Sequence, residues 1–315
     1  MRPVFSHDPV MAEEVVALFG PVPPGTVVDA TVGGGGHARA LLEAHPHLRV
    51  LGLDRDPAAV AAARAALEGF GARAAVHQAR FDELGDQVSA ANAEPVSGVL
   101  FDLGVSSPQF DRPERGFSYR QDAPLDMRMD PGQTFTAADV VNGTDEQELA
   151  RLFAEHGERR FARRIARAVV AARPLRSTVQ LAEVVRDAVP AAARRTGGHP
   201  ARRVFQAVRV AVNDELEVLE RALPEAVDVL APGGRCVAIA YHSGEDRLVK
   251  SAFAQAATGG CVCPPGLPCA CGAVPLGRLV YRGARRPSPA EVARNRRAES
   301  ARLRAFERLE PAGDA

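Results

Sequence analysis

Tryptophan is absent from this 315-residue chain, and aromatic residues make up only 5% of it. Stacking of bases on aromatic platforms is therefore at most a minor theme in any nucleic-acid contact. Lysine is nearly missing too: Lys250 is the single one, so arginine supplies every other basic side chain of fixed charge. Cysteine is sparse, with five residues, four of them crowded into 261–271. That placement does not staple a domain of this size and points to reduced thiols. No stretch approaches the roughly 18 uninterrupted apolar residues of a membrane span, and Met1–Pro9 lacks the apolar run of a signal peptide. These absences predict a cytoplasmic protein with no membrane partner.

Net charge is also missing, with 39 basic against 39 acidic residues, but the balance is an average over unlike segments. Residues 81–148 hold fourteen Asp and Glu against four Arg, whereas 151–210 hold fourteen Arg against four acids. A third segment, 278–308, carries ten Arg against three Glu. Genomic base composition explains Arg over Lys but not the clustering. Clustered guanidinium groups suit phosphate, because their donor fork binds two oxygens at once and is weakly hydrated.

At 46% hydrophobic the chain can bury a full α/β core and carry a second lobe. Strands are expected at 26–32, 49–54, 74–79, 98–103 and 235–242, with helical patterns between most of them, which means a doubly wound, mostly parallel sheet. Asp56-Pro57 is a good helix start, with Asp as cap and Pro in the first helical position. Between the fourth and fifth strands lie about 130 residues without a convincing strand, too many for one crossover helix. An all-helical insertion fits, with capping boxes at Thr144–Gln147 and Ser177–Gln180 and with Pro174 separating helices. The expected division is a core over 1–111, a helical and basic lobe over 112–208, and a return to the core over 209–315 with a basic C-terminal tail. Ser288–Glu291 opens a further basic helix there. No internal repeat is present.

The strand at 26–32 runs into four glycines, Gly33–Gly36, and Asp54 closes the next strand. Glycine tolerates positive φ and lets backbone approach a ligand closely, and an acidic residue about 20 positions downstream is placed to bind a ribose hydroxyl. Gly33-x-Gly35-x-x-Ala38 satisfies the dinucleotide fingerprint, so an NAD-dependent oxidoreductase is one reading. A methyltransferase binding S-adenosylmethionine (SAM) uses the same loop and the same acid, so these two motifs do not separate the two. Phe81-Asp82 follows the third strand, where an aromatic or acidic side chain can meet adenine. Asp102 ends the fourth strand at a polar, glycine-broken mouth, where ligands of open α/β sheets sit. A third reading is a non-catalytic basic RNA-binding protein on the same fold.

Ten segments then occur in order: His7–Met11, Asp29–His37, Leu53–Pro57, Asp102–Gln109, Arg115–Ser118, Pro124–Asp130, His199–Arg202, Phe205–Arg209, Val212–Leu216 and Tyr241–Arg247. Together they resemble the bacterial 16S ribosomal RNA cytosine-4-amino methyltransferase family (RsmH, formerly MraW), over nearly the whole chain. The resemblance implies a Rossmann-like SAM-dependent methyltransferase core with a helical insertion. It implies SAM as donor, and 16S rRNA, at cytidine 1402 of the decoding region, as target, within the small ribosomal subunit. It places cofactor contacts on Gly35, Gly36, His37, Asp54, Phe81, Asp102 and Gln109. The family commonly has Phe where Tyr241 stands and Leu where Gly244 stands; glycine at 244 is expected to loosen the start of the following helix. Oligomeric state is not fixed by the sequence, which is compatible with a homodimer.

The chemistry asks for few groups. The 4-amino nitrogen of cytosine is a poor nucleophile because its lone pair is delocalised into the ring, so catalysis is mostly positioning. An acceptor for the amino hydrogens would localise that lone pair and stabilise developing positive charge. Asp102 is the candidate catalytic residue, and a purely cofactor-binding carboxylate is the alternative. Phe110 or Tyr119 could stack on the base or belong to the core. Asp126 and Arg128 sit in a charged loop that either contacts substrate RNA or is fixed by their mutual ion pair. His242, at the end of the last core strand, is a further candidate for RNA or a satisfied structural group.

In 159–173, Phe161, Ile165, Ala168, Val169 and Ala172 share one helical face, and Arg160, Arg163, Arg164 and Arg167 the opposite one. The apolar face is alanine-rich and lacks the large anchors of a membrane-surface helix, so RNA phosphate is the expected partner. Arg194, Arg195, Arg202 and Arg203 extend the charge. Cys261-x-Cys263-x(5)-Cys269-x-Cys271 could supply four thiolates to a tetrahedral zinc, although paired Cys-x-Cys is unusual and the family resemblance carries no metal; a plain reducible loop is the alternative.

Overall fold

A computed structural model of the chain describes residues 9–105, 109, 112–194, 199–264 and 270–310. The chain divides into two compact units: Val105–Glu215 forms one, and Met1–Gly104 with Leu216–Ala315 forms the other. The discontinuous unit begins with α1 (Ala12–Phe19), β1 (Gly25–Asp29), α2 (Gly36–Ala44), β2 (Leu48–Asp54), α3 (Pro57–Leu67), β3 (Ala74–Gln78), α4 (Leu84–Ala90) and β4 (Val96–Asp102). The inserted unit contains α5 (Ala137–Gly143), α6 (Glu146–Glu155), α7 (Ala162–Ala171), α8 (Thr178–Ala188), α9 (Ala191–Arg194) and α10 (Ala201–Asn213). The chain then continues through α11 (Glu215–Asp228), β5 (Leu230–Ala240), α12 (Ser243–Thr258), β6 (Gly277–Leu279), α13 (Pro289–Arg294) and β7 (Arg302–Arg308).

The sheet order is β3-β2-β1-β4-β5-β7-β6, parallel from β3 through β5 and antiparallel where β7 meets β5 and β6. Both faces of the parallel part are covered by helices, so its strands read as nearly continuous apolar runs. Period-two alternation still sorts their side chains. Val28, Val99, Phe101 and Ala238 pack with Leu219, Leu223 and Phe253 on one face, while Val27, Leu100, Val237 and Ile239 pack with Phe19 and Leu41 on the other. Asp56 caps α3 as expected, its side chain accepting from Ala58 N at 2.9 Å with Pro57 at the first helical position.

The five parallel strands fall where the sequence places them, with shifted ends. The first stops at Asp29 rather than residue 32, because Thr31–Gly36 peels away to form a loop. The basic C-terminal tail is corrected more strongly. Residues 302–308 are a strand inside the sheet, and their charges are paired: Arg304 Nε lies 2.8 Å from Asp246 Oδ1, and Glu307 holds both Arg235 and Arg278.

The inserted unit has its own core, built from Phe117, Met127, Leu149, Phe153, Ile165, Val169, Leu181, Val185, Val204 and Phe205. Helix α6 is capped by Asp145, which accepts from Gln147 N and Glu148 N, and not by Thr144. On α7 the buried stripe is Ala162, Ile165, Ala166 and Val169, so Ala172 is exposed, contrary to expectation; Arg160, Arg163, Arg164 and Arg167 are exposed. Asn213 pins the 126–130 loop to the end of α10. Its Oδ1 accepts from Met129 N at 2.7 Å, and its Nδ2 donates to Met127 O at 2.8 Å and Arg209 O at 2.9 Å. The two bonds to the loop are buried, so Asn213→Ala leaves backbone groups without partners and is expected to cost about 2–4 kcal/mol. Urea unfolding followed by circular dichroism checks it, and a loss below about 1 kcal/mol would mean the loop has other anchors.

Candidate active site

Three neighbouring parallel strands end in aspartate: β1 at Asp29, β2 at Asp54 and β4 at Asp102. Strand order reverses between β1 and β4, and crevices at such a switch point beyond the carboxyl ends of strands bind ligands. The glycine loop leaves β1 here and enters α2. Gly35 caps α2 with φ of 83°, a conformation only glycine adopts freely, and a Cβ there would press on Ala63 Cα at 3.3 Å. At Gly34 an added Cβ would meet nothing within 4 Å, so the loop backbone borders open space.

Asp54 joins β2 to that loop. Gly33 N donates to its Oδ2 at 3.0 Å and Asp56 N to its Oδ1 at 2.9 Å. Burial pushes its carboxyl up to about 6, opposed by these two backbone donors. An ionised carboxylate offers about four acceptor sites, so two remain for hydroxyl donors. Open space at glycine backbone beside a carboxylate with unused acceptor sites fits a ligand carrying a ribose.

His37 and Asp102 meet across the crevice. The buried His37 places Nε2 at 2.9 Å from Val10 O. A carbonyl only accepts, so Nε2 donates to it, and Nδ1 faces Asp102 Oδ2 at 3.6 Å. Tyr241 donates its hydroxyl to Asp102 Oδ1 at 2.7 Å, and Asp102 N donates to Thr31 Oγ1 at 2.6 Å. Burial raises the Asp102 carboxyl, His37 and the Tyr241 hydrogen bond lower it, and Glu245 raises it further. Burial and the neighbouring Asp102 lift the Tyr241 hydroxyl well above its ordinary value, so it remains a donor. The Asp102 side chain is 26% exposed, enough to meet a ligand, whereas Asp29 is 1% exposed.

Two of these residues escaped the sequence reading. Asp29 lies in a glycine-loop segment that drew attention to its glycines; its only signal is a carboxylate ending an otherwise apolar strand. Tyr241 stood out only as a departure from Phe, yet its hydroxyl is the closest partner of the Asp102 carboxylate among the described residues. Phe81 packs edge-to-face on Phe101, with centroids 5.7 Å apart, and keeps part of its ring exposed. Asp82 beside it is taken by Arg80 and Arg221, each at 2.8 Å; burial opposes but does not overcome these partners, which hold its carboxyl low.

His242 caps α12. Its Nδ1 accepts from Gly244 N at 3.1 Å and Glu245 N at 3.3 Å, its Nε2 lies 3.1 Å from Glu245 Oε1, and Glu245 Oε2 returns to Tyr241 N and His242 N. Gly244 does not loosen this start: a Cβ there would come within 3.1 Å of the His242 ring, so glycine makes room for the cap. Nδ1 of His242 is spent on that cap, and Nε2 is buried beside Glu245.

The remaining candidates are in the inserted unit or on the loop after α12. Gln109 is buried in the inserted unit. Asp126 and Arg128 form a two-pronged ion pair at 2.8 Å, and Arg128 also donates to Pro131 O and Gln133 O, so the pair fixes its own loop. Tyr119 stacks on His199 with centroids 4.7 Å apart and packs edge-on against Phe205. Arg202 is exposed, Arg203 reaches the buried Glu158 at 3.3 Å, and Arg167 reaches Glu146 at 3.5 Å. The sulfurs of Cys261, Cys263 and Cys271 come together within 4.8 Å. Cys269, Phe110 and Arg195 lie outside the described residues.

Asp29 generates a pH dependence of stability. Burial pushes its carboxyl up to about 7, partly offset by His37, and among the described residues its Oδ2 has no hydrogen-bond partner. The folded chain therefore binds a proton that the unfolded chain has released above about 4, so stability falls as pH rises toward 7 and levels off beyond. Urea midpoints at pH 5.5 and 8 are expected to differ less in Asp29→Asn than in the wild type. An unchanged difference would assign the slope to other groups.

Comparison with known proteins agrees with this geometry. The MraW methylase family matches residues 4–309. "Ribosomal RNA small subunit methyltransferase H" of Heliobacterium modesticaldum is 48% identical, covering 97% of this chain and 99% of that protein. The protein of the same name from Parafrankia sp. is 52% identical over 96% of this chain and 94% of its own length. That of Symbiobacterium thermophilum is 49% identical over 99% of each. A match spanning nearly every residue, with relatives about half identical along their whole lengths, makes this chain a member of the MraW methylase family.

Proposed function

We propose that this methylase acts on the exocyclic 4-amino nitrogen of a cytidine in 16S rRNA of the small ribosomal subunit, with cytidine 1402 as the position the resemblance implies. SAM is the methyl donor and supplies an activated sulfonium methyl group. The names of the relatives support the small-subunit RNA as substrate. The observation that carries the amine assignment is the Asp102 carboxylate, held at the mouth of the sheet by Tyr241 and partly open to solvent.

Asp54 is the residue to accept ribose hydroxyls, through the acceptor sites its two backbone donors leave free. Gly35 and Gly36 let the loop backbone approach the donor, and His37 closes the loop against Asp102. Phe81 presents the exposed part of its ring beyond β3 to adenine, and Gln109 is the further contact the resemblance implies. Tyr241 anchors one oxygen of Asp102, which leaves the carboxylate oriented to accept a hydrogen bond from an amine. Such a fixed acceptor costs no reorganisation as positive charge develops on nitrogen. The exposed Arg160, Arg163, Arg164 and Arg202 are suited to RNA phosphate, with Arg167 and Arg203 beside them; binding through them weakens as salt rises.

Two outcomes are expected. Mass mapping of RNA from small subunits incubated with the protein and SAM should place one methyl group on the 4-amino nitrogen of a decoding-region cytidine. Asp102→Ala should slow that transfer by about 100-fold or more at saturating donor. Methylation at a ring carbon, or full activity without Asp102, would overturn the assignment. Tyr241→Phe removes one hydrogen bond worth about 1 kcal/mol and should lower kcat about 5-fold. Because that bond holds the Asp102 carboxyl down, its loss should also move the acidic limb of the rate profile to higher pH. A rate loss without the shift would make Tyr241 a packing residue only.

A further inference from the structure

The loop between α12 and β6 carries a cluster that methyl transfer does not use. Its ends are closed by backbone. Gly259 caps α12 with φ of 62°, Cys261 N donates to Thr258 O, and Leu276 N donates to Ala256 O at 2.9 Å. A Cβ on Gly259 would strike the backbone of Val274 at 2.3 Å, so only glycine allows the returning strand of the loop to lie so near its start. Along the first arm of this loop Cys261 and Cys263 are more sheltered than the residue between them, and Cys271 on the other arm is exposed. Val262 is 86% exposed, while Cys261 and Cys263 on either side of it are half-buried. An apolar residue is thus left in solvent so that the sulfurs flanking it can face each other.

We infer that Cys261, Cys263 and Cys271 form a structural zinc site that fastens this loop. Their sulfurs all lie within 4.8 Å of one another, and Cys271 Sγ is 3.6 Å from Cys261 Sγ. Four thiolates around zinc at about 2.3 Å leave neighbouring sulfurs roughly 3.8 Å apart, the edge of the tetrahedron. The observed separation is close to that edge and far from the roughly 2.05 Å of a disulfide. An all-sulfur donor set selects a soft, tetrahedral ion over a hard cation such as magnesium or calcium. Binding releases the thiol protons, and the resulting thiolates, which would otherwise repel one another, share the dipositive charge. Three sulfurs occupy three vertices, leaving the fourth to water or another donor.

The site is structural by position. It fastens the connection from α12, whose Val249 and Phe253 belong to the core, to β6, which pairs with β7. The test uses the full chain, purified without tag or chelator from cells grown with added zinc. Elemental analysis should give about one zinc per chain, and absorption at the zinc edge should show a sulfur shell near ~2.3 Å. The double variant Cys261→Ser with Cys271→Ser should retain less than about one tenth of that zinc. Wild-type protein without zinc, a sulfur-free shell, or zinc content unchanged in the double variant would each overturn the inference. So would an intact mass showing that the chain as purified has lost two hydrogens to a disulfide among these cysteines. The wild-type measurements decide the matter even if the variant does not fold.

Discussion

Asp54 accepts the backbone amide of Gly33, and on that hydrogen bond hangs most of what the crevice can do. It ties the end of β2 to the loop leaving β1, so two neighbouring strands share one rim. With the loop held there, Gly35 takes its left-handed turn and α2 starts at Gly36, which brings His37 inward toward Asp102 at the end of β4. The acidic ends of three strands are thereby gathered around a stretch of glycine backbone. Their burial costs the fold something, as the raised carboxyls of Asp29 and Asp54 record, and ligand sites are where such costs collect.

The parallel strands were legible because helices cover both faces and leave runs such as Val96–Asp102 with hardly a polar residue. The glycine loop and the carboxylates of Asp54 and Asp102 were legible because strand-loop-helix order constrains where a ligand can sit. Tyr241 was not, since its importance depends on a contact 139 residues away in sequence, to Asp102. At His242 both readings stayed open for a related reason: a histidine at a strand end looks available, and only the backbone shows that its ring caps α12. The strand at 302–308 was hidden by its arginines, whose alternation with Leu303 and Ala305 has the two-residue period of a sheet.

Arginine serves two ends in this chain, and counting does not separate them. One set is absorbed by the fold. Arg235 and Arg304 hold Glu307 and Asp246 at the sheet, Arg209 grips Glu215 through two hydrogen bonds, and Arg128 is committed to Asp126. Their partners are largely shielded from water, so removing one member would strand a charge. The other set, the arginines of α7 with Arg202 of α10, projects into solvent and costs the fold little. Segment averages merged the two because many partners of the first set lie far away along the chain.

The place of β7 bears on biosynthesis. That strand is threaded between β5 and β6 and supplies hydrogen bonds to both, although it is the last of the three to leave the ribosome. While residues 302–308 are still inside the exit tunnel, β5 presents one row of unpaired amides and carbonyls on an otherwise finished half-sheet. Such a border is a template for a stray strand of another chain. A nascent polypeptide halted just short of this stretch would leave that border of β5 uncovered.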